Sequence, residues 1–194
     1  MWTGSSRAPA SGRAAAQPRI LGGARRWGPG QARGMTDLAQ DAAEDPATPT
    51  VGDRAPDFTA PTGGGGTLHL GDLLGKKPIV LYFYPRDDTP GCTAEACAFR
   101  DQRAQFAGAG AEIIGVSADS AESHDRFASK YELPFTLVSD VDGGVRSRYG
   151  VAPHGPLPKR STYVIDGSGV ISGVFSSLES ATQHVDRALE ALAK

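Results

Sequence analysis

The chain has 194 residues, a length that allows one domain with a substantial core and an additional tail. Its formal net charge of −2 gives no support for nucleic-acid binding. No run of about 18 apolar residues occurs, so we expect no transmembrane helix and no membrane partner.

Residues 1–34 differ in composition from the rest of the chain. They carry six arginines and no acidic residue. Because the formal net charge of the whole chain is −2, that of the remaining residues is −8. Rich in Gly, Ala, Pro and Arg and without apolar periodicity, this segment predicts disorder. Two interpretations stay open: an organelle transit peptide, or translation that starts at Met35 and opens an ordinary acidic, polar leader. We favour the second, so residues 1–50 are expected to be a disordered leader and the location cytoplasmic, with an organelle as the alternative.

A domain over residues 51–194 is expected to alternate strands and helices. Ile79–Tyr84 is apolar on both faces, as a central strand covered by helices should be. Asp119 and Glu122 resemble a capping box that opens a helix through Tyr131. The other predicted elements are strands at 55–58, 67–70, 112–118 and 135–139, a helix at 93–105, a helical turn at 144–149, a hairpin of 161–165 with 170–176, and a last helix capped by Ser180 with an apolar stripe of Val185, Leu189 and Leu192. This order predicts an α/β fold with a mixed central sheet and helices on both faces.

Both cysteines lie in Tyr82–Cys97, which reads YFYPRDDTPGCTAEAC. Two prolines and a glycine separate an apolar run from an alanine-rich segment, which indicates strand, loop and helix. Cys92 is therefore expected at a helix N-terminus, where unpaired N–H groups and the helix dipole stabilise a thiolate, the nucleophilic form. Two cysteines do not make a disulfide framework, and a reactive pair in a reducing compartment fits them better than a buried structural thiol.

The pattern Pro85-x-x-x-Thr89-x-x-Cys92 resembles the active-site signature of the peroxiredoxins. With Cys97 five residues later, the chain is similar to their bacterioferritin comigratory protein, or Q-type, subgroup, from about Val51 to the C-terminus. The resemblance implies a thioredoxin-like fold and a thioredoxin-dependent peroxidase that reduces hydrogen peroxide and organic hydroperoxides. It also implies an often monomeric protein, and we expect neither cofactor nor metal.

Peroxide reduction requires an ionised thiol, an aligned peroxide and a stabilised leaving oxygen. Cys92 supplies the nucleophile, the Thr89 hydroxyl can accept from the peroxide while donating to the thiolate, and Pro85 can shield the sulfur from water. The thiolate also needs a positively charged partner, and by composition each of the fourteen arginines and lysines after Met35 is a candidate. The resemblance selects Arg160, which stands at the matching place before a strand.

The resemblance also implies that Cys97 resolves the Cys92 sulfenic acid as an intramolecular disulfide, which thioredoxin then reduces. Five helical residues separate two Cα atoms by about 8.7 Å, whereas a disulfide needs them within roughly 7 Å. We therefore expect the first turns of the helix to unwind when the disulfide forms.

Simpler roles remain open for several of these residues. Cys97 can be a small core residue and Thr89 a turn residue, and Glu95 suits the first turn of a helix whether or not it helps catalysis. Arg100 and Asp101 are expected to form a surface pair. The four histidines, His69, His124, His154 and His184, show no ligand spacing and are expected in loops or on the surface.

Other functions are less well supported by the spacing of the two cysteines. Copper chaperones on a thioredoxin fold resemble Cys-x-x-x-Cys with a distant histidine, and disulfide oxidoreductases use Cys-x-x-Cys. Here four residues separate the two cysteines. A redox sensor that relays oxidation from the same pair to a partner protein stays open beside the peroxidase.

Overall fold

The computed structural model of the protein describes residues 48–151, 155, 159–177 and 180–194. The predictions for residues 1–47 and for His154 lie outside these ranges. The strands within them are β1 (Thr59–Pro61), β2 (Thr67–His69), β3 (Ile79–Phe83), β4 (Glu112–Ser117), β5 (Thr136–Ser139), β6 (Ser161–Ile165) and β7 (Ile171–Ser176). The α-helices are α1 (Pro90–Asp101), α2 (Arg103–Gly108), α3 (Ala121–Tyr131), α4 (Gly144–Arg148) and α5 (Gln183–Leu192).

The central sheet has five strands in the order β5-β4-β3-β6-β7. Strand β3 lies in the middle, parallel to β4 and antiparallel to β6. Strand β7 pairs antiparallel with β6 through the predicted hairpin. Strands β1 and β2 form a separate antiparallel pair. The sheet is mixed, as the sequence predicts.

Strand β3 separates two apolar layers because its side chains alternate between the faces of the sheet. Ile79, Leu81 and Phe83 pack into a core that also contains residues of β1 and α4. Val80 and Tyr82 pack into a second core with residues of α1, α2, α3 and α5. Helices therefore cover both faces, which confirms the predicted architecture.

The predicted helix over residues 93–105 is two helices. Helix α1 begins three residues earlier than predicted, at Pro90, because proline is well tolerated at the first helical position. It ends at Asp101, where Gln102 leaves helical geometry with φ −97° and ψ 9°, and α2 follows. Both cysteines thus lie on one continuous helix.

Three predicted details of the local structure are wrong. The cap of α3 is Ser120, whose hydroxyl accepts from the N–H of Ser123, because the carboxylate of Asp119 is occupied by the Ser117 hydroxyl at 2.8 Å. Ser180 precedes the actual cap position of α5 by two residues. The strand predicted at 55–58 forms instead at Thr59–Pro61, consistent with the proline at position 56, which has no N–H for a ladder.

Within the described ranges, no helix is both long and apolar enough to cross a membrane.

Candidate active site

Cys92 is the third residue of α1, and its side chain is buried at 2% exposure. The first hydrogen bond inside the helix runs from the Thr93 N–H to the Thr89 carbonyl at 2.8 Å. The N–H groups of Gly91 and Cys92 precede that bond and have no acceptor within the helix. The thiol therefore lies at the positive end of the helix dipole, beside two N–H donors that the helix leaves unpaired.

Arg160 reaches this thiol from the residue before β6. The register pairs Phe83 with Ser161, so Arg160 lies at the end of β3 from which the loop to α1 departs. Its Nη2 donates to the Cys92 Sγ at 3.5 Å, and the side chain is almost fully buried. The structure thus brings together the cysteine and the arginine that the resemblance selects.

A glycine beside the thiol makes room for this guanidinium. A Cβ at position 91 would lie 3.1 Å from the Arg160 Nη2, closer than most side-chain contacts. Arg160 Nη1 is also 3.4 Å from the Gly91 carbonyl. The guanidinium is therefore fixed by the backbone of the first helical turn as well as by its side-chain partners.

Glu95, one turn after Cys92, is the acidic partner of Arg160. It is completely buried, and its Oε2 accepts a hydrogen bond from Arg160 Nη1. Burial raises the pKa of Glu95 to about 8, although the charge and hydrogen bond of Arg160 act in the opposite direction. The expectation that Glu95 lies in the first turn of the helix is wrong, because α1 begins at Pro90 and Glu95 is its sixth residue. Its side chain instead contacts the arginine that faces the thiol.

His184 of α5 borders the other oxygen of Glu95. Its Nδ1 is 3.7 Å from Glu95 Oε1 and 2.8 Å from the Thr162 hydroxyl, and its Nε2 is 3.0 Å from the Ser177 carbonyl. Burial lowers the pKa of His184 to about 4, and the charge of Arg160 lowers it further. The hydrogen bond to the Ser177 carbonyl acts in the opposite direction. The neutral ring therefore donates from Nε2 to Ser177 and accepts at Nδ1 from Thr162.

Pro85 and Thr89 lie in the loop between β3 and α1. Pro85 is exposed and Thr89 is partly exposed. The Thr89 hydroxyl donates to the Arg86 carbonyl at 3.2 Å, the bond expected of a turn residue. That bond uses the hydroxyl proton and leaves the oxygen's lone pairs for another donor.

Cys97 is partly buried on the same helix, and both cysteines are free thiols. Three residues further on, Arg100 donates to the exposed carboxylate of Asp101 at 2.8 Å, so the predicted surface pair is confirmed. The same guanidinium donates to the Tyr131 carbonyl at the end of α3 at 2.7 Å. The part of α1 that follows Cys97 is thereby bound to α3.

The expectation of surface histidines is wrong for two of them. His124 and His184 are completely buried, and each has hydrogen-bond partners on both ring nitrogens. The sequence offered one indication for His124, which precedes the buried Phe127 by three residues on the same helix face. His69 is about half exposed, as expected.

The sequence and the fold both match known proteins. The sequence profile of the AhpC/TSA family matches residues 51–174. A protein of Sedum lineare named peroxiredoxin Q, chloroplastic, is 48% identical over 145 residues, which is 74% of this chain and 77% of that protein. Peroxidoxin BcpB of Mycobacterium tuberculosis superposes with a TM-score of 0.69 at 38% identity, over 75% of this chain and 97% of that one. Peroxiredoxin Q of Xanthomonas campestris gives a TM-score of 0.64 at 34% identity, over 70% and 89% of the two chains.

Proposed function

This chain belongs to the AhpC/TSA family and is a peroxidase of the peroxiredoxin Q type, and we propose that Cys92 is the residue that attacks the peroxide. One observation carries the proposal: an arginine donor lies 3.5 Å from a thiol at a helix N-terminus. The proposed substrates are hydrogen peroxide and organic hydroperoxides.

In the first step, the Cys92 thiolate attacks the terminal oxygen of the peroxide. A sulfur–oxygen bond forms, the O–O bond breaks, and the other oxygen leaves as water or an alcohol once it is protonated. Sulfur is oxidised to a sulfenic acid and the peroxide is reduced by two electrons. The Arg160 guanidinium stabilises the thiolate and the charge that develops on the leaving oxygen. Thr89 accepts a hydrogen bond from the peroxide, and Pro85 limits access of water.

In the second step, the Cys97 thiolate attacks the Cys92 sulfenic sulfur. The S–S bond forms and the sulfenic oxygen leaves as water after protonation. Both cysteines lie on the intact helix α1, where the expected Cα separation is about 8.7 Å and too long for a disulfide. We therefore propose that the turns between them unwind during this step.

In the third step, a dithiol protein of the thioredoxin class reduces the disulfide, because regeneration of two thiols needs two electrons delivered by thiol exchange. We propose that the enzyme acts as a monomer.

Relatives named chloroplastic give the cytoplasmic prediction no support and favour an organelle, with residues 1–34 as the targeting segment. Mass spectrometry of the mature N-terminus checks this location, because cleavage of a transit peptide removes that segment.

Peroxide consumption by the wild type and two single variants tests the proposed cysteine roles. With thioredoxin and its reductase present, Cys92→Ser is expected to consume no peroxide. Cys97→Ser is expected to consume one equivalent per chain and then stop. Multiple turnover by Cys92→Ser would disprove the role of Cys92, and undiminished thioredoxin-dependent turnover by Cys97→Ser would disprove that of Cys97.

A further inference from the structure

A second buried polar group lies beside the active-site loop, outside the set of residues used so far. Asp87 precedes Cys92 by five residues, and its side chain is 4% exposed. His124 of α3 is completely buried, and its Nδ1 lies 3.0 Å from Asp87 Oδ2 and 3.2 Å from Oδ1. The pair joins the loop that leads to Cys92 to the neighbouring helix.

Both nitrogens of the histidine ring have polar partners. Nε2 is 3.1 Å from the carbonyl oxygen of Val138, which can only accept. Nδ1 faces the two oxygens of Asp87, and that carboxylate also accepts from the hydroxyls of Tyr84 and Ser123 at 2.8 Å each. The ring therefore links the side chain of Asp87 to the backbone of β5, and the Tyr84 hydroxyl lies 3.4 Å from Nδ1 as a further neighbour.

The charge on Asp87 is consistent with these contacts. Burial alone would raise the pKa of Asp87, but the hydrogen bond and charge of His124, with the hydroxyls of Ser123 and Tyr84, lower it below its usual value. A buried group whose hydrogen bonds are all made tolerates the loss of one partner poorly, because the remaining partner is left buried and unpaired.

The loop that this pair holds is under backbone strain. Asp88 has a φ of 55°, in the left-handed region that residues other than glycine seldom adopt. Thr89 then occupies the cap position of α1, and Pro90 begins the helix. The N–H of Asp87 is itself bound to the Asp119 carboxylate at 2.9 Å. The strained turn next to the first turn of α1 is thus anchored through both the backbone and the side chain of Asp87.

We propose that Asp87 and His124 are positioning residues for the reaction at Cys92. The pair holds the loop against α3 so that Thr89 and the first turn of α1 keep the arrangement that the thiol needs for attack on the peroxide. The same restraint opposes the unwinding that brings Cys97 to the sulfenic acid. This inference rests on the proposed roles of the two cysteines, and it predicts opposite changes in two steps when the pair is broken.

The test measures the two steps separately in His124→Asn. Formation of the Cys92 sulfenic acid is followed in a Cys97→Ser background by rapid quenching, trapping and mass spectrometry. Disulfide formation is followed with Cys97 intact, as the rate at which the sulfenic acid, once formed, converts to the disulfide in the same rapid-quench and mass-spectrometry experiment. Oxidation is expected to slow by about tenfold or more, because misplaced reacting groups lose much rate. Disulfide formation is expected to accelerate by about threefold or more, because local opening becomes easier.

Two further variants distinguish positioning from a loss of stability. Asp87→Asn keeps the shape and a neutral hydrogen bond to His124, so both rates should fall between those of His124→Asn and the wild type. Val145→Ala removes buried apolar volume on the opposite face of the sheet and should lower the melting temperature while both rates stay within about twofold.

Equal rates in His124→Asn and the wild type, or the same changes in Val145→Ala, would overturn the inference. If His124→Asn does not fold, the rates of Asp87→Asn decide in the same way. A wild-type chain that forms no sulfenic acid at Cys92 would instead overturn the proposed function, and this inference with it.

Discussion

Replacement of Glu95 by glutamine should change the pH dependence of stability. The carboxyl is completely buried, and its pKa rises from an ordinary 4.5 to about 8. A carboxyl with a higher pKa in the folded state binds its proton more tightly there than in the unfolded chain. Its contribution to stability is therefore complete below about pH 4.5 and is lost as the pH rises through about 8.

The size of the effect follows from this range. At about 1.4 kcal/mol for each pH unit, the wild type loses about 5 kcal/mol between 4.5 and 8 that Glu95→Gln does not lose. For a chain of this length, about 2–4 °C per kcal/mol converts the difference into about 10–20 °C in the melting temperature. Any pH-independent effect of the glutamine amide on stability changes the free energy of unfolding equally at both ends of this pH range.

The assay is thermal unfolding of the wild type, Glu95→Gln and Glu190→Gln at intervals from pH 4 to 9. Glu190 is an exposed glutamate, 60% accessible, and its variant should follow the wild type at every pH. The melting temperature of Glu95→Gln should rise relative to the wild type as the pH increases. A difference that stays constant across this range would refute the argument that burial dominates the ionisation of Glu95.

Two other substitutions test the packing around the site. Arg160→Lys keeps the charge but cannot donate to both Cys92 and Glu95 as a fork. The rate of oxidation by hydrogen peroxide should fall by about 10- to 100-fold, which corresponds to the loss of one charge-assisted hydrogen bond. A loss below about twofold in stopped-flow oxidation would contradict this. Gly115→Ala would place a Cβ 2.7 Å from the Tyr82 ring and hydroxyl, so it should destabilise the protein by about 1–3 kcal/mol in urea unfolding. Gly108→Ala, which has open space around the new Cβ, is its control and should be neutral or slightly stabilising.

The sequence predicts those parts of the site whose cause is local. An apolar run that ends in prolines and a glycine predicts strand β3, the loop and the beginning of a helix at Cys92, and the structure has all three. The contact between Arg160 and Cys92 joins residues 68 positions apart, and residue chemistry alone could not choose this arginine among fourteen cations. Resemblance to a family supplied the choice, because only a known fold fixes which strand end faces which helix.

The burial of charged residues was harder to predict because helical periodicity is usually interpreted through apolar residues. Glu95 is predicted in the first turn of a helix, where an exposed acid would be equally favourable, but α1 begins earlier and Glu95 lies in its second turn. His184 adjoins Val185 at the beginning of the apolar stripe of α5, and both are buried. A buried polar residue needs a hydrogen-bond partner, and here that partner lies on another element of the fold. The sequence of the helix alone therefore does not identify the partner or predict the burial.

Part of the second polar group could nevertheless have been anticipated from topology. Asp87 and Asp119 both follow strands, β3 and β4, that run parallel, and parallel strands bring their carboxyl ends to one edge of the sheet. The Ser139 hydroxyl at the end of β5 completes the row by donating to the Asp119 carbonyl at 2.7 Å. Acidic residues gathered at one edge repel each other unless a cation joins them, and the helix that leaves this edge contains His124. The same topology that predicts an active site at these strand ends therefore also predicts a basic partner for Asp87 near the beginning of α3.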